Sequence, residues 1–371
     1  MTKPNIILVL LDGARWDRLQ QSKSFEEMIK QGTLLNNVNT AIPYTIGSVN
    51  ALFSGKYGKD NGIDAYYKMF RLKESVKILP EFLKESGYFT ACDLLSEKII
   101  SKRGFDIHQF HDEYTDDLTK RHPEFIKECM NKAEGKPFFT FLHFTRIHTI
   151  TVSEVLKKYE WNDKEFYNNK DKNLLNYDKV FNEAGSYAEL IFQTVKNLGI
   201  ENETLIIFFS DHGTGIGERF GERNYGSFTY EETIRAFYLF IGKKIIKNRV
   251  NKTLRESIDI LPTILELIGM KFQDLPGKSI SKYLENENQE LSDKSYVFSE
   301  TGALQGPYPS PMEPNVFCIK NSRYKLIFMK TPNEWKMYDL TKDPEEQKDI
   351  FTEKNEIATK LQNQLNLWIE R

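Results

Sequence analysis

Three short, continuous apolar runs constrain this chain more than any other feature: Ile6 to Leu11, Phe138 to Phe144 and Leu205 to Phe209. Each is β-rich and none alternates regularly with polar residues, the pattern of a strand buried on both faces of a parallel sheet. Helical patterns lie between them, at Ser24 to Lys30, Ile78 to Glu85 and Ala184 to Leu198, and Ser24 with Glu27 has capping-box spacing. Strand alternating with helix predicts an α/β fold: a wound, mostly parallel central sheet flanked by helices, with its site at the carboxyl ends of the strands. Asp12, Asp211 and His212 follow such runs, where this architecture puts ligand-binding residues.

The polar stretch YLENENQELSDK, near residues 282–294, reads as a linker. Strand-like pieces follow at Tyr296 to Ser299, Asn315 to Ile319, Tyr324 to Met329 and Glu334 to Tyr338, then a helix from about Lys354 to Ile369. The expected division is a catalytic α/β domain over 1–285 and a small C-terminal antiparallel sheet plus helix over 295–371.

With 51 basic against 53 acidic residues, the charge balance offers no reason to expect nucleic acid or an anionic membrane as partner, so anion recognition has to come from a local site. Cys92, Cys129 and Cys318 are widely separated and suggest neither a disulfide framework nor a zinc knuckle. The N-terminal apolar run is too short to span a bilayer, and no later run reaches the length a membrane helix needs. The expectation is a cytoplasmic protein without a membrane span.

Hard divalent cations want carboxylate oxygens, and imidazole also suits zinc or manganese. LIIFFSDHGTGIGE places Asp211 and His212 on a glycine-bounded turn, and VLLDGAR puts Asp12 at another strand end. In TAIPYTIGSVNALFSGKYGKDNGI, Thr45 opens a helix-like stretch, Ser48 to Phe53, that ends at Ser54-Gly55. A hydroxyl there is suited to attack an oxyanion held by free helix amides; equally, Thr45 or Ser48 is an N-cap.

Taken together, these segments resemble the sulfatase branch of the alkaline phosphatase superfamily. PNIILVLLDGARWDRL is similar to its opening metal-binding strand, ALFSGKYGKDNGI to the tail of its nucleophile motif, PFFTFLHFTRIH to its middle strand with an active-site histidine, and TLIIFFSDHG to its second metal loop. SIDILPTILELIG, LPGKSI and MYDLTKDPEEQKDI resemble its C-terminal landmarks. The resemblance implies an alkaline phosphatase-like fold and a metal-dependent hydrolase or transferase.

Aligned backwards from Gly55, the cysteine or serine that sulfatases convert to formylglycine falls on Thr45. The motif's proline and arginine are Gly47 and Val49, its serine is Ser48, and a sulfatase lysine falls on Tyr225. Threonine cannot take the formylglycine route, and its presence resembles the phosphodiesterase and phosphoethanolamine or phosphoglycerol transferase branches. The expected reaction is therefore hydrolysis or transfer of a phosphate-type ester, on a small molecule or a glycan or lipid head group, through a covalent Thr45 intermediate. The alternatives are a sulfuric ester hydrolase and an inactive binding member of the fold.

The resemblance implies one divalent metal (zinc, manganese or calcium) held by Asp12, Thr45, Asp211 and His212, because no histidine follows His212 to complete a second set. His148 is expected to bind substrate or protonate the leaving group, Arg15 to orient ligands or the nucleophile, Ser48 to supply a supporting hydrogen bond or cap, and His143 to be structural. Specificity is expected from residues 56–75, 150–180, 214–228 and the segment from Gly302, with Tyr66, Tyr67, Trp161 and Tyr308 as stacking candidates.

Overall fold

A computed structural model describes residues 3–148, 160–273 and 275–371. Its centre is a nine-stranded sheet in the order β4-β3-β5-β1-β6-β7-β2-β8, with β9 beside β2. The first five are β4 (Ile107–Phe110), β3 (Phe89–Leu94), β5 (Phe138–Phe144), β1 (Asn5–Leu11) and β6 (Thr204–Phe209), all parallel to one another. β7 (Arg235–Ile241) runs antiparallel between β6 and β2 (Thr33–Asn39). The short β8 (Arg249–Asn251) and β9 (Arg255–Glu256) close that edge.

β1 shows why its sequence does not alternate. Ile6, Leu8 and Leu10 point into one hydrophobic core, and Ile7, Val9 and Leu11 into another on the opposite face. All six are fully buried, so truncating any one to alanine is expected to cost about 2–5 kcal/mol through lost burial and the cavity left behind. On the second face lie α1 (Lys23–Ile29), α4 (Leu118–Lys132) and α5 (Lys170–Asn197). On the first lie α2 (Thr45–Ser54), α3 (Leu79–Glu85) and α6 (Ile260–Leu267).

That first core also takes in Phe317, Ile319, Leu326 and Met337 of a second, antiparallel sheet, and Leu361, Leu365 and Trp368 of α7 (Glu356–Glu370). This sheet comprises β10 (Val297–Thr301), β11 (Val316–Lys320), β12 (Tyr324–Met329) and β13 (Glu334–Asp339) in sequential order. Among the described residues no helix is long and apolar enough to cross a membrane.

Two local expectations need correction. Helix α1 starts at Lys23 with Ser22 as its N-cap, so Ser24 lies inside the first turn and the capping box does not form. Ser24 instead donates to Glu189 on α5 at 2.7 Å, and Glu27 pairs with Lys30. The helix expected from Ala184 begins much earlier, at Lys170, because Tyr177, Val180 and Phe181 continue its buried stripe toward the N-terminus.

Candidate active site and metal centre

Asp12 leaves β1 and Asp211 follows β6, two adjacent parallel strands whose carboxyl ends open side by side. Gly13 makes the turn after Asp12, with φ +71°, and a Cβ there would come within 2.8 Å of Thr214 Oγ1. Its N–H donates to Asp211 Oδ1 at 3.2 Å, and its carbonyl accepts from Thr214 and Tyr177, each at 2.8 Å. The two loops are thereby sewn together.

Thr45 is the first residue of α2, and the N-cap is Tyr44 without a side-chain capping bond. The cap reading of Thr45 is therefore set aside. Its hydroxyl lies 3.2 Å from Asp12 Oδ2 and 3.4 Å from His212 Nε2. The first N–H groups of a helix have no partner within it, and Thr45 carries one of them. Ser48 provides the expected supporting bond, donating to the Asp211 carbonyl at 2.9 Å. Every residue of α2 is buried, and Gly55 ends it in the left-handed conformation.

His212 donates from Nδ1 to the Gly213 carbonyl at 2.8 Å, which leaves the Nε2 lone pair facing Asp12, Asp211 and Thr45. His143 has more to do than a structural residue. Its Nδ1 accepts the Leu95 N–H at 3.4 Å, so Nε2 carries the proton and donates to Asp12 Oδ2 at 2.9 Å. Burial works against charge on Asp12, yet this hydrogen bond and the nearby imidazoles hold its carboxyl below the usual range. Burial, with the charge of Asp12, pushes Asp211 up.

One carboxylate oxygen on each residue, Asp12 Oδ1 and Asp211 Oδ2, is buried without a hydrogen-bond partner among the described residues. Two anionic oxygens and an imidazole lone pair within 4.8 Å of one another, unsatisfied by protein donors, are what a divalent cation requires. The residues present fit such an ion.

His148 is placed beside this group. Its Nδ1 lies 3.3 Å from Glu113 Oε2, and its ring is 6.2 Å from Tyr225, which in turn lies 4.3 Å over His212. Tyr225, in the place of a lysine, stays a neutral phenol because burial raises its pKa well above the ordinary value. Arg15 has a different task from the one expected. Its guanidinium clamps Asp17 through two 2.9 Å bonds and reaches Glu218 at 2.5 Å and the Thr214 carbonyl at 3.1 Å. It ties down the loop that follows Asp211.

Of the stacking candidates, Tyr66 packs on Tyr44 at 5.7 Å and Trp161 on Phe220 at 6.0 Å, while Tyr67 is exposed and Tyr308 packs against the second sheet. Residues 150–159 of the predicted specificity insert lie outside the described residues.

Residues 4–270 match the family model described as sulfatase, and residues 221–371 match that described as N-sulphoglucosamine sulphohydrolase, C-terminal. The chain belongs to the sulfatase family. Members of it typically bind a divalent metal, in keeping with the Asp12, Asp211 and His212 group. A sulfatase of Formosa agariphila is 26% identical over 279 residues, 66% of this chain and 48% of that protein. An N-acetylglucosamine-6-O-sulfatase of Bacteroides thetaiotaomicron is 31% identical over 165 residues, 42% of this chain and 28% of that protein. The chain thus spans about half or less of the length of these curated relatives. A structure solved in complex with its substrate, D-glucosamine-2-N,6-O-disulfate, superposes with a TM-score of 0.77 at 19% identity, covering 100% of this chain and 97% of the other.

These relatives overturn the expectation that Thr45 directs the site to phosphate-type esters, and the phosphoester head group falls with it. The expectation weighted one residue too heavily. Sulfate and phosphate esters offer similar tetrahedral oxyanions to helix amides and to a cation held by carboxylates, so a threonine at this position does not by itself select the element.

Proposed function

We propose that this chain is a sulfuric ester hydrolase acting on a sulfated carbohydrate, with Thr45 at the reacting centre. The observation that carries the reading is the Thr45 hydroxyl, seated at a helix N-terminus against Asp12 and His212 within a sulfatase framework. The carbohydrate rests on the substrates for which the relatives are named, a glucosamine disulfate and an N-acetylglucosamine 6-sulfate group.

A divalent ion held by Asp12, Asp211, His212 and Thr45 would polarise a sulfuryl oxygen and lower the pKa of the bound hydroxyl. The chain's own groups do the rest. The amides at the start of α2 receive the charge on the remaining sulfuryl oxygens. Thr45 Oγ attacks sulfur, forming an Oγ–S bond as the ester S–O bond breaks, and its proton passes to solvent water. His148, steadied by Glu113, protonates the departing sugar oxygen. Water, returning one proton to His148, then attacks the threonine sulfate at sulfur; the S–Oγ bond breaks, and the second proton restores the Thr45 hydroxyl as sulfate leaves. His143 keeps Asp12 ionised and aimed throughout.

The test is a panel of mono- and disulfated glucosamines, with their phosphorylated counterparts, assayed after chelation and after re-addition of calcium, manganese or zinc. Inorganic sulfate should be released only by metal-loaded protein, and mass spectrometry should find Thr45 unmodified at rest. Release of phosphate but of no sulfate under any metal would refute the proposal.

A further inference from the structure

We propose that Asp93, His111 and His122 form a second, buried site for a borderline transition ion of the zinc class, separate from the Asp12 centre. One ligand atom from each of the three lies within 4.8 Å of the other two. Asp93 stands near the end of β3, His111 directly follows β4, and His122 lies in the first turns of α4. Their side chains are fully buried.

Two observations point to a ligand. His111 Nε2 and His122 Nε2 are buried polar atoms with no hydrogen-bond partner among the described residues. Asp93 Oδ2 and His122 Nε2 stand 3.9 Å apart, too far for a hydrogen bond. Two metal–ligand bonds of about 2.0–2.2 Å each span that separation. His111 Nδ1 approaches Asp93 Oδ1 at 3.1 Å from the other side.

Two imidazoles to one carboxylate favour zinc or cobalt(II) over calcium or magnesium.

Arg121 competes for the place. Its Nε donates to Asp93 Oδ2 at 2.6 Å, where Gln109 Nε2 also donates at 3.2 Å, and its Nη2 donates to the Phe110 carbonyl at 2.8 Å, so an ion would take the place of these donors on Asp93. Tyr187, hydrogen-bonded to His122 Nδ1, lines a cleft of about 760 Å³ together with Asp116, Asp117 and Arg146. When His122 Nδ1 donates to the Tyr187 oxygen, Nε2 is left with its lone pair for the ion. A bound ion would pin β3, the segment after β4, and α4 together, one ring behind His143: the His111 and His143 ring centroids are 6.2 Å apart.

The test is zinc stoichiometry by elemental analysis on chelator-stripped, refilled protein, with cobalt(II) absorption as a probe of imidazole ligation. Wild type should hold two equivalents of zinc. The Asp12→Asn/Asp211→Asn variant should hold one and keep a tetrahedral cobalt spectrum. His122→Gln should hold one and lose that spectrum. Arg121→Ala, which leaves the three ligands in place, should bind the second zinc roughly tenfold more tightly. Wild-type stoichiometry in His122→Gln, no zinc in the Asp12→Asn/Asp211→Asn variant, or unchanged affinity in Arg121→Ala would each overturn the proposal.

Discussion

Replacing Thr45 with alanine should separate catalysis from stability by several kcal/mol. In the resting structure its hydroxyl makes contacts of 3.2 and 3.4 Å, long for an O–H donor. Their loss should therefore cost at most about 0.5–1 kcal/mol of folding free energy. Asp12 Oδ2 keeps its 2.9 Å bond from His143, so no buried charge is stranded. With an unfolding entropy of about 2.1 cal/mol/K for each of 371 residues, that loss lowers Tm by only about 1 °C. Turnover should fall by about 10³ or more, which is about 4 kcal/mol or more at the transition state. Thr45→Ser, which restores the hydroxyl, should recover most of the rate. The assay is sulfate release beside a calorimetric melt on the same metal-loaded samples. A Thr45→Ala variant that keeps most of its activity would show that the hydroxyl only packs or positions, and that another group attacks sulfur.

Two further outcomes follow from the buried groups. His143→Ala removes the N–H that holds Asp12, so metal affinity at the Asp12 centre should drop by about 10–100-fold, measured by competition with a chromogenic chelator; unchanged affinity would make His143 a packing residue. Glu300 is buried, and burial with the charge of Asp64 raises its pKa from 4.5 to about 8. The folded state thus holds a proton that the unfolded chain has lost, so this contribution is complete below about pH 4.5 and is lost as pH rises through 8. Glu300→Gln keeps an acceptor for the Lys59 N–H, and its Tm should fall less than that of wild type between pH 5 and 8.5. Parallel Tm–pH curves would refute the assignment.

The sheet was legible in the sequence because burial on both faces leaves its mark residue by residue. Ile6 to Leu11 and Leu205 to Phe209 could be placed on a parallel sheet without knowing their neighbours, and Asp12, Asp211 and His212 followed from the strand ends. Thr45 came from motif resemblance, because a helix buried on every side carries no amphipathic stripe. What Arg15 and His143 do was decided only by tertiary structure. Arg15 meets Glu218 across 203 positions of chain, and His143 reaches Asp12 across 131. The same holds for Asp93, His111 and His122, which lie on a strand, a loop and a helix with no motif spacing. Charge, polarity and periodicity are local properties of a chain. Which nitrogen faces which carboxylate is set by the order in which strands pair and helices cover them, and no local pattern encodes it.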